Sequence, residues 1–333
     1  MRVKLTHDPR HFVHRQSPGE FGVWGDARFE TAGDRGVFDA WVVFEHLPFP
    51  QAVQCDPNRV VFITGEPMAV RSYHPDFLNQ FAALLTPRTD LKHPQIILGH
   101  PALPWLAGIQ YQRVSGLNPT GYQLNYDKLK AMDSIPKPKL ASFISTTKNW
   151  TEGHRLRLQL LEVLRERFAD QIDFFGYGLK PIEDKWDAIA PYRYHIVLEN
   201  TCEKDYWSEK LADTFLAAAF PIYGGCPNVA DHFPRGSYLA IDPRDPVGAV
   251  GAIAEVLEAD PYAAHLPMIH EARTLVLDRY NLYPVMTDLL KRLPVGTPRL
   301  VRLRPENDYV DPAPRRLKRR LKRWVFGAGP RSG

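Results

Sequence analysis

Short apolar runs, each closed by polar, glycine or proline residues, recur through the first 130 or so positions at residues 3–5, 41–44, 60–63 and 96–98. Each is of strand length and rich in β-branched or aromatic side chains, which predicts the buried strands of a sheet. At Ser134-Ile135-Pro136-Lys137-Pro138-Lys139 the pattern breaks. The two prolines disfavour helix on either side, so a domain boundary is expected at residue 135. A second series then alternates strand 140–145, helix 154–168, strands 172–175 and 194–198, helix 208–219 and strand 221–223. Leu156, Leu160, Leu161 and Leu164 fall on one face of the first of these helices. Strands alternating with amphipathic helices predict α/β domains with parallel, doubly wound sheets. The expected layout is one Rossmann-like domain over 1–135, a second over 136–295, and an extension over 296–333.

Composition narrows the function classes. The chain has 333 residues, 44% of them hydrophobic, enough apolar material for two cores and too much for global disorder. The net charge of +4 is unevenly placed. Eight of the 42 Lys/Arg lie from Arg315 onward with no Asp/Glu, so 34 basic residues face 38 acidic ones in the body. Basic character therefore belongs to the tail, and a nucleic-acid enzyme, which spreads cations and aromatics over a folded face, is not expected. Cys55, Cys202 and Cys226 form no CxxC pair, which supports neither a disulfide framework nor a structural zinc site. With no apolar leader and no run long enough to span a bilayer, a cytoplasmic enzyme is expected.

Candidate chemistry concentrates where strand 194–198 ends in Glu199, Asn200 and Thr201, followed shortly by Tyr206-Trp207-Ser208-Glu209-Lys210-Leu211. Ligands of open α/β sheets bind outside the carboxyl ends of the strands, so these polar groups would face a crevice. Ser208 can cap the next helix, which places Glu209 and Lys210 in its first turn. A cation at the positive end of a helix dipole is mildly unfavourable unless an anion binds there, and a phosphate would remove the conflict. Read singly, Glu209 and Lys210 could equally be solvated first-turn residues. The following strand ends in Gly224 and Gly225, which let backbone approach a ligand closely.

These residues resemble the donor-site signature of the α-1,3/1,4-fucosyltransferases, glycosyltransferase family 10. The likeness runs through Glu199-Asn200-Thr201, Asp205-Tyr206, Ser208-Glu209-Lys210 and Pro221-Ile222-Tyr223-Gly224-Gly225 to Val229, Phe233 and Tyr238-Leu239-Ala240-Ile241-Asp242. Bacterial members are also similar at Gly176-Tyr177-Gly178, Lys185-Trp186, Thr64-Gly65-Glu66-Pro67 and Val23-Trp24-Gly25-Asp26. The resemblance implies a GT-B fold, two Rossmann-like domains facing across a cleft. It further implies inverting transfer of fucose from GDP-fucose to a glycan hydroxyl, α-1,3 to an N-acetylglucosamine-type unit. On that pattern Glu209 would bond the ribose, Lys210 and Arg155 the diphosphate, Tyr206 and Asn200 the nucleotide pocket, and Glu66 would be the catalytic base; the alternative is that Glu66 caps the next helix or binds acceptor hydroxyls without taking a proton, with Glu45 and Asp26 the next candidate bases. Glu199, Lys185, Gly224 and Gly225 are further donor-pocket candidates. Arg155 has an independent rationale, since a guanidinium grips phosphate oxygens bidentately, although Arg155 and Arg157 could both be ordinary exposed helix residues.

There is no Asp-x-Asp, HExxH or other clustered metal motif, so neither metal nor cofactor is expected, and fixed cations would meet the leaving-group charge. A GT-B transferase using another nucleotide sugar and a non-catalytic glycan- or nucleotide-binding protein are the alternatives. In the tail from Arg315 to Phe326, Leu317, Leu321 and Trp324 recur at helical spacing among cations. This is either an interfacial helix for an anionic membrane surface, placing the enzyme peripherally on the inner face of the membrane, or a solvated basic tail.

Overall fold

The computed structural model describes residues 1–111, 119–146, 152–176 and 178–310. The basic stretch from Arg315 to Phe326 and Tyr177 lie outside the described residues.

The first half contains β1 (Arg2–Thr6), β2 (Val23–Trp24), β3 (Ala27–Glu30), β4 (Val37–Phe38), β5 (Ala40–Phe44), β6 (Gln51–Cys55), β7 (Val60–Ile63), α1 (Pro75–Leu78), β8 (Ala83–Thr86) and β9 (Ile96–Leu98). Seven strands form one sheet in the order β2-β3-β1-β5-β7-β8-β9, parallel except where β2 meets β3. All four apolar runs expected as strands lie in it. Ala83-Leu84-Leu85-Thr86 was not foreseen, since it carries only one β-branched residue and its strand character comes from pairing with Val61–Ile63 and Ile96–Leu98 on either side. β5 is buried at every position. Val42 and Phe44 pack in one core and Trp41 and Val43 in the other, as a strand covered on both faces requires.

The chain then forms a hairpin of β10 (Ile109–Tyr111) and β11 (Pro119–Tyr122), followed by α2 (Tyr126–Lys130). The second half contains β12 (Lys139–Ile144), α3 (Glu152–Arg167), β13 (Ile172–Phe175), α4 (Lys185–Ile189), β14 (Tyr192–Leu198), α5 (Glu209–Leu216), β15 (Phe220–Gly224), β16 (Leu239–Ala240), α6 (Pro246–Ala259), α7 (Tyr262–Asp278), α8 (Leu282–Arg292) and β17 (Arg299–Leu303). Its five strands are all parallel in the order β13-β12-β14-β15-β16. Leu160 and Leu164 of α3 and Ile253 of α6 cover one face, against Ile196 and Ile222. Leu211 and Phe215 of α5 and Val276 of α7 cover the other, against Val197 and Tyr223.

Packing redraws the expected boundaries at 135 and 295. Leu282, Met286, Leu289 and Leu290 of α8 bury their apolar face in the first-half core with Val3 and Leu5, and β17 pairs antiparallel with β6. Residues 282–303 therefore belong by packing to the first domain. In the opposite direction Trp105, Leu124 and Leu129 pack against Val197 and α5. An amphipathic pattern announces a buried face without naming the core that receives it. Among the described residues no helix is long and apolar enough to cross a membrane.

Candidate active site

The second sheet ends at the cleft in Glu199, whose backbone continues the β14 ladder by donating to the Gly224 carbonyl at 2.9 Å. Its side chain is wholly shielded from solvent. The carboxylate accepts hydrogen bonds from the Ser208 backbone N–H at 2.8 Å, the Ser208 hydroxyl at 2.7 Å and the Lys210 ammonium at 3.2 Å. Ser208 is the N-cap of α5 and accepts from the Lys210 N–H at 3.3 Å. The anion expected at this helix N-terminus is thus present inside the protein as Glu199. Burial works against the charge of Lys210, and Glu199 and Glu209 outweigh it, raising the ammonium pKa.

Glu209, the next residue after the Ser208 cap, joins the cluster. Its Oε1 lies 3.1 Å from the Lys185 ammonium and 3.6 Å from that of Lys210. Burial opposes its charge, yet Lys210 and Lys185 hold its carboxyl below the usual carboxylate range. Lys185 also lies 3.5 Å from Asp213, so it positions Glu209. Asp213, a residue that no sequence motif singled out, is fully buried in α5 and accepts from the Leu106 and Ala107 N–H groups at 2.8 and 2.9 Å. Its carboxyl is pushed up to about 6 by burial, against the pull of Lys185.

Beside Glu199, the start of α3 lies against Asn200: a Cβ added to Gly153 would sit 2.3 Å from the Asn200 carbonyl oxygen. That close approach, with Leu160, Leu161 and Leu164 buried in the core, fits the helix against the strand end. Arg155 points to solvent, whereas Arg157 is buried, donating to Asn200 Oδ1 and Thr146 Oγ1, both at 3.1 Å. Its Nε makes no hydrogen bond. The arginine brought to the Glu199–Lys210 cluster is therefore Arg157, in place of the expected Arg155. Gly225 is required by contact, because a Cβ there would lie 2.6 Å from Glu199 Cγ and 2.5 Å from the Tyr223 hydroxyl.

The loop between Glu199 and α5 is pinned at Asp205, whose φ of 59° is unusual for a non-glycine residue. Asn228 donates to the Asp205 carboxylate at 2.7 Å and accepts from its N–H at 2.8 Å, and His232 lies 3.1 Å from the same carboxylate. Tyr206, buried, then crosses the cleft with its hydroxyl 3.5 Å from the Gly65 carbonyl. Trp207 stacks on His100 of the first domain with ring centroids 3.6 Å apart, and its carbonyl lies 3.0 Å from His100 Nε2.

Glu66 follows β7 at the carboxyl end of the first sheet. Solvent reaches its side chain, while the cleft walls around it, Glu45 and Glu209 raise its pKa. The carbonyl of Gly65, the residue before it, lies 3.5 Å from the Tyr206 hydroxyl, which sets Glu66 beside the loop that leads into α5. Glu45 is committed elsewhere: its carboxylate accepts from the Gly65 N–H, from Arg71 and from the Tyr73 hydroxyl at 2.7 Å, so it fixes the backbone that carries Glu66. Asp26 pairs with Lys291 at 3.0 Å at the exposed edge where β2 turns into β3. The resulting cleft has two lysines and the Glu209 carboxylate on one wall and a carboxylate of raised pKa on the other. It suits a polyhydroxylated phosphate ligand and proton abstraction across from it.

Residues 136–261 match the model of the glycosyltransferase family 10 (fucosyltransferase) C-terminal domain. A fucosyltransferase-like protein of Arabidopsis thaliana is 32% identical over 127 residues, 37% of this chain and 24% of that protein. An alpha-(1,3)-fucosyltransferase of Helicobacter pylori is 32% identical over 66 residues, 20% of this chain and 13% of that protein. The chain thus spans less than a quarter of the length of these curated relatives in the matched region. A crystal structure of an alpha1,3-fucosyltransferase with GDP-fucose superposes over 87% of this chain and 89% of its own, with a TM-score of 0.50 and 17% identity. The shared architecture is GT-B, as the two facing α/β domains predicted.

Proposed function

We propose that this chain, whose residues 136–261 match the glycosyltransferase family 10 C-terminal domain, is a member of that family and transfers fucose from GDP-fucose to a glycan hydroxyl with inversion at the anomeric carbon. The observation that carries the reading is the pairing of Glu209 and Lys210 at the N-terminus of α5, with Tyr206 just before them reaching the carbonyl of Gly65, the residue before Glu66. Glu209 accepts the ribose hydroxyls. The side chains of Lys210 and Arg157 take the diphosphate, and Asn200 and Tyr206 line the nucleotide pocket.

In the transfer step the acceptor hydroxyl oxygen attacks the anomeric carbon while Glu66 removes its proton. The bond from that carbon to the phosphate oxygen breaks and GDP leaves with the electron pair. Its growing charge falls on cations already held in place, which costs no reorganisation at the moment of reaction. The raised pKa of Glu66 favours it as a base, because a carboxylate with higher proton affinity has a larger driving force for the transfer.

Glu209 and Lys210 read ribose and diphosphate, and neither reads the base or the sugar. Isothermal titration with GDP, UDP and GDP-fucose therefore tests the donor. The reading expects GDP and GDP-fucose to bind at least tenfold more tightly than UDP, about 1.4 kcal/mol. Equal affinity for UDP would point to a transferase of another nucleotide sugar, and no nucleotide affinity would remove the enzymatic reading.

A further inference from the structure

A cavity of about 990 Å³ opens in the first domain at the carboxyl ends of β1 and β3 and the loop after β5. Its walls include Phe12, Pro48, Phe49 and Tyr122, with Thr31 and Gln51 among the polar groups. None of these belongs to the donor cluster. Phe49 is 60% exposed, a large aromatic side chain left in water where apolar burial would otherwise favour covering it. Phe12 holds a left-handed backbone conformation, φ 45° and ψ 49°, which is strained for a bulky residue. Its ring lies 5.3 Å from that of Tyr122. Backbone strain that keeps an aromatic ring beside a cavity is a feature of ligand-clamping sites.

The cavity is joined to Glu66 through one short path. His11, between the cavity residues Pro9 and Phe12, sets its ring 6.3 Å from Phe44, the last residue of β5. The next residue, Glu45, holds the Gly65 N–H and so the position of Glu66.

The chemistry of the lining fits an uncharged ligand. Arg15 is spent on the Ala107 and Leu124 carbonyls at 3.0 and 2.9 Å and on that of Trp105. Lys4 is turned to the Thr31 and Gly33 carbonyls. His14 is held by Thr31 and the Tyr283 hydroxyl, both at 3.0 Å. Burial pushes the His7 pKa down to about 4 and lowers that of His14. Asp34 is the one carboxylate among the lining residues. The lining cations, Lys4 and Arg15, are thus turned to backbone carbonyls, while aromatic faces suited to the C–H faces of sugar rings are present.

We propose that this cavity is a subsite for an uncharged oligosaccharide segment of the acceptor, distal to the hydroxyl that reacts at Glu66. The assignment of the segment as acceptor rests on the fucosyl-transfer reading above; the binding itself does not. The test is retention of the full chain on immobilised uncharged, sialylated and sulfated oligosaccharides of two to six units, with proline-rich peptides alongside. Phe49→Ala removes one wall from an exposed position, and Ala52→Trp fills the cavity from another exposed position. Wild-type protein is expected to prefer the uncharged chains, with affinity rising with chain length. Phe49→Ala should weaken that binding by roughly 3- to 10-fold, the scale of one aromatic contact, and Ala52→Trp should abolish it. No retention, retention of only the anionic chains or the peptides, or equal retention by all three proteins would overturn the proposal. GDP titrated into the same samples separates the two readings. Loss of GDP affinity with glycan retention intact would strike the transferase reading, and GDP affinity without glycan retention would strike this one.

Discussion

The Lys210 ammonium lies 3.2 Å from Oε2 of Glu199, a carboxylate wholly shielded from solvent. A cation in the first turn of a helix is held there by an anion of the chain's own, and on the proposed reading the donor diphosphate adds a second anion to this preformed site. Lys210→Ala should therefore weaken GDP binding by about tenfold or more, the scale of a lost charge-assisted hydrogen bond. Glu199→Ala should cost stability as well, about 3 kcal/mol, because Ser208 and Lys210 lose their shared buried partner. Titration calorimetry checks the first and urea unfolding the second.

Arg155 and Arg157 give a sharper contrast. Arg157 donates to Asn200 and Thr146 with a buried guanidinium, while Arg155 faces solvent. Arg157→Ala should lower GDP affinity by about tenfold, and Arg155→Ala by less than about twofold. Equal losses in the two variants, measured by calorimetry, would return Arg155 to the site.

That contrast also marks where the sequence ceased to be legible. The strand end at Glu199 and Asn200, the cap at Ser208 and the first turn carrying Glu209 and Lys210 are neighbours along the chain, so their grouping could be read from spacing. The fit of α3 against that strand end could not, because it depends on the contact of Gly153 with the Asn200 carbonyl, some fifty residues away. Asp213 escaped for the same reason: a lone acid in an apolar helix face gains meaning only when Leu106 and Ala107 bring their N–H groups to it. Likewise the apolar stripe of α8 was a readable feature, but its return to the first-domain core rests on tertiary packing.

Acid should destabilise the fold through its buried histidines. Burial depresses both His100, stacked on Trp207, and His195, bonded to Ser142, to about 3 from an ordinary 6.5. The unfolded chain therefore binds more protons than the native one between these values, and stability falls as pH drops from 6.5 towards 3. Unfolding curves should show a loss of about 1 to 3 kcal/mol between pH 6.5 and roughly pH 4, and His100→Asn should flatten that slope. An unchanged slope in the variant would assign the acid sensitivity elsewhere.

Glu66 should control the acid side of the rate profile. Partial desolvation by the cleft walls, with Glu45 and Glu209 nearby, raises its pKa above the ordinary 4.5. A base must be ionised to act, so activity is expected to fall as pH drops through that raised value. Glu66→Gln should remove this limb and slow transfer by about 10²- to 10⁴-fold while leaving GDP affinity nearly unchanged. Stopped assays across pH, with GDP titration as control, measure both.

The most direct measurement is the anomeric configuration of the product formed from GDP-fucose, in which the sugar is β-linked to the nucleotide. The protein is incubated with GDP-fucose and an uncharged oligosaccharide, and the product is read by proton NMR. Single displacement across a cleft with Glu66 opposite the departing GDP requires an α-linked fucose on the acceptor and one equivalent of GDP released. A β-linked product, or no fucose transferred by a protein that binds GDP-fucose, would contradict it.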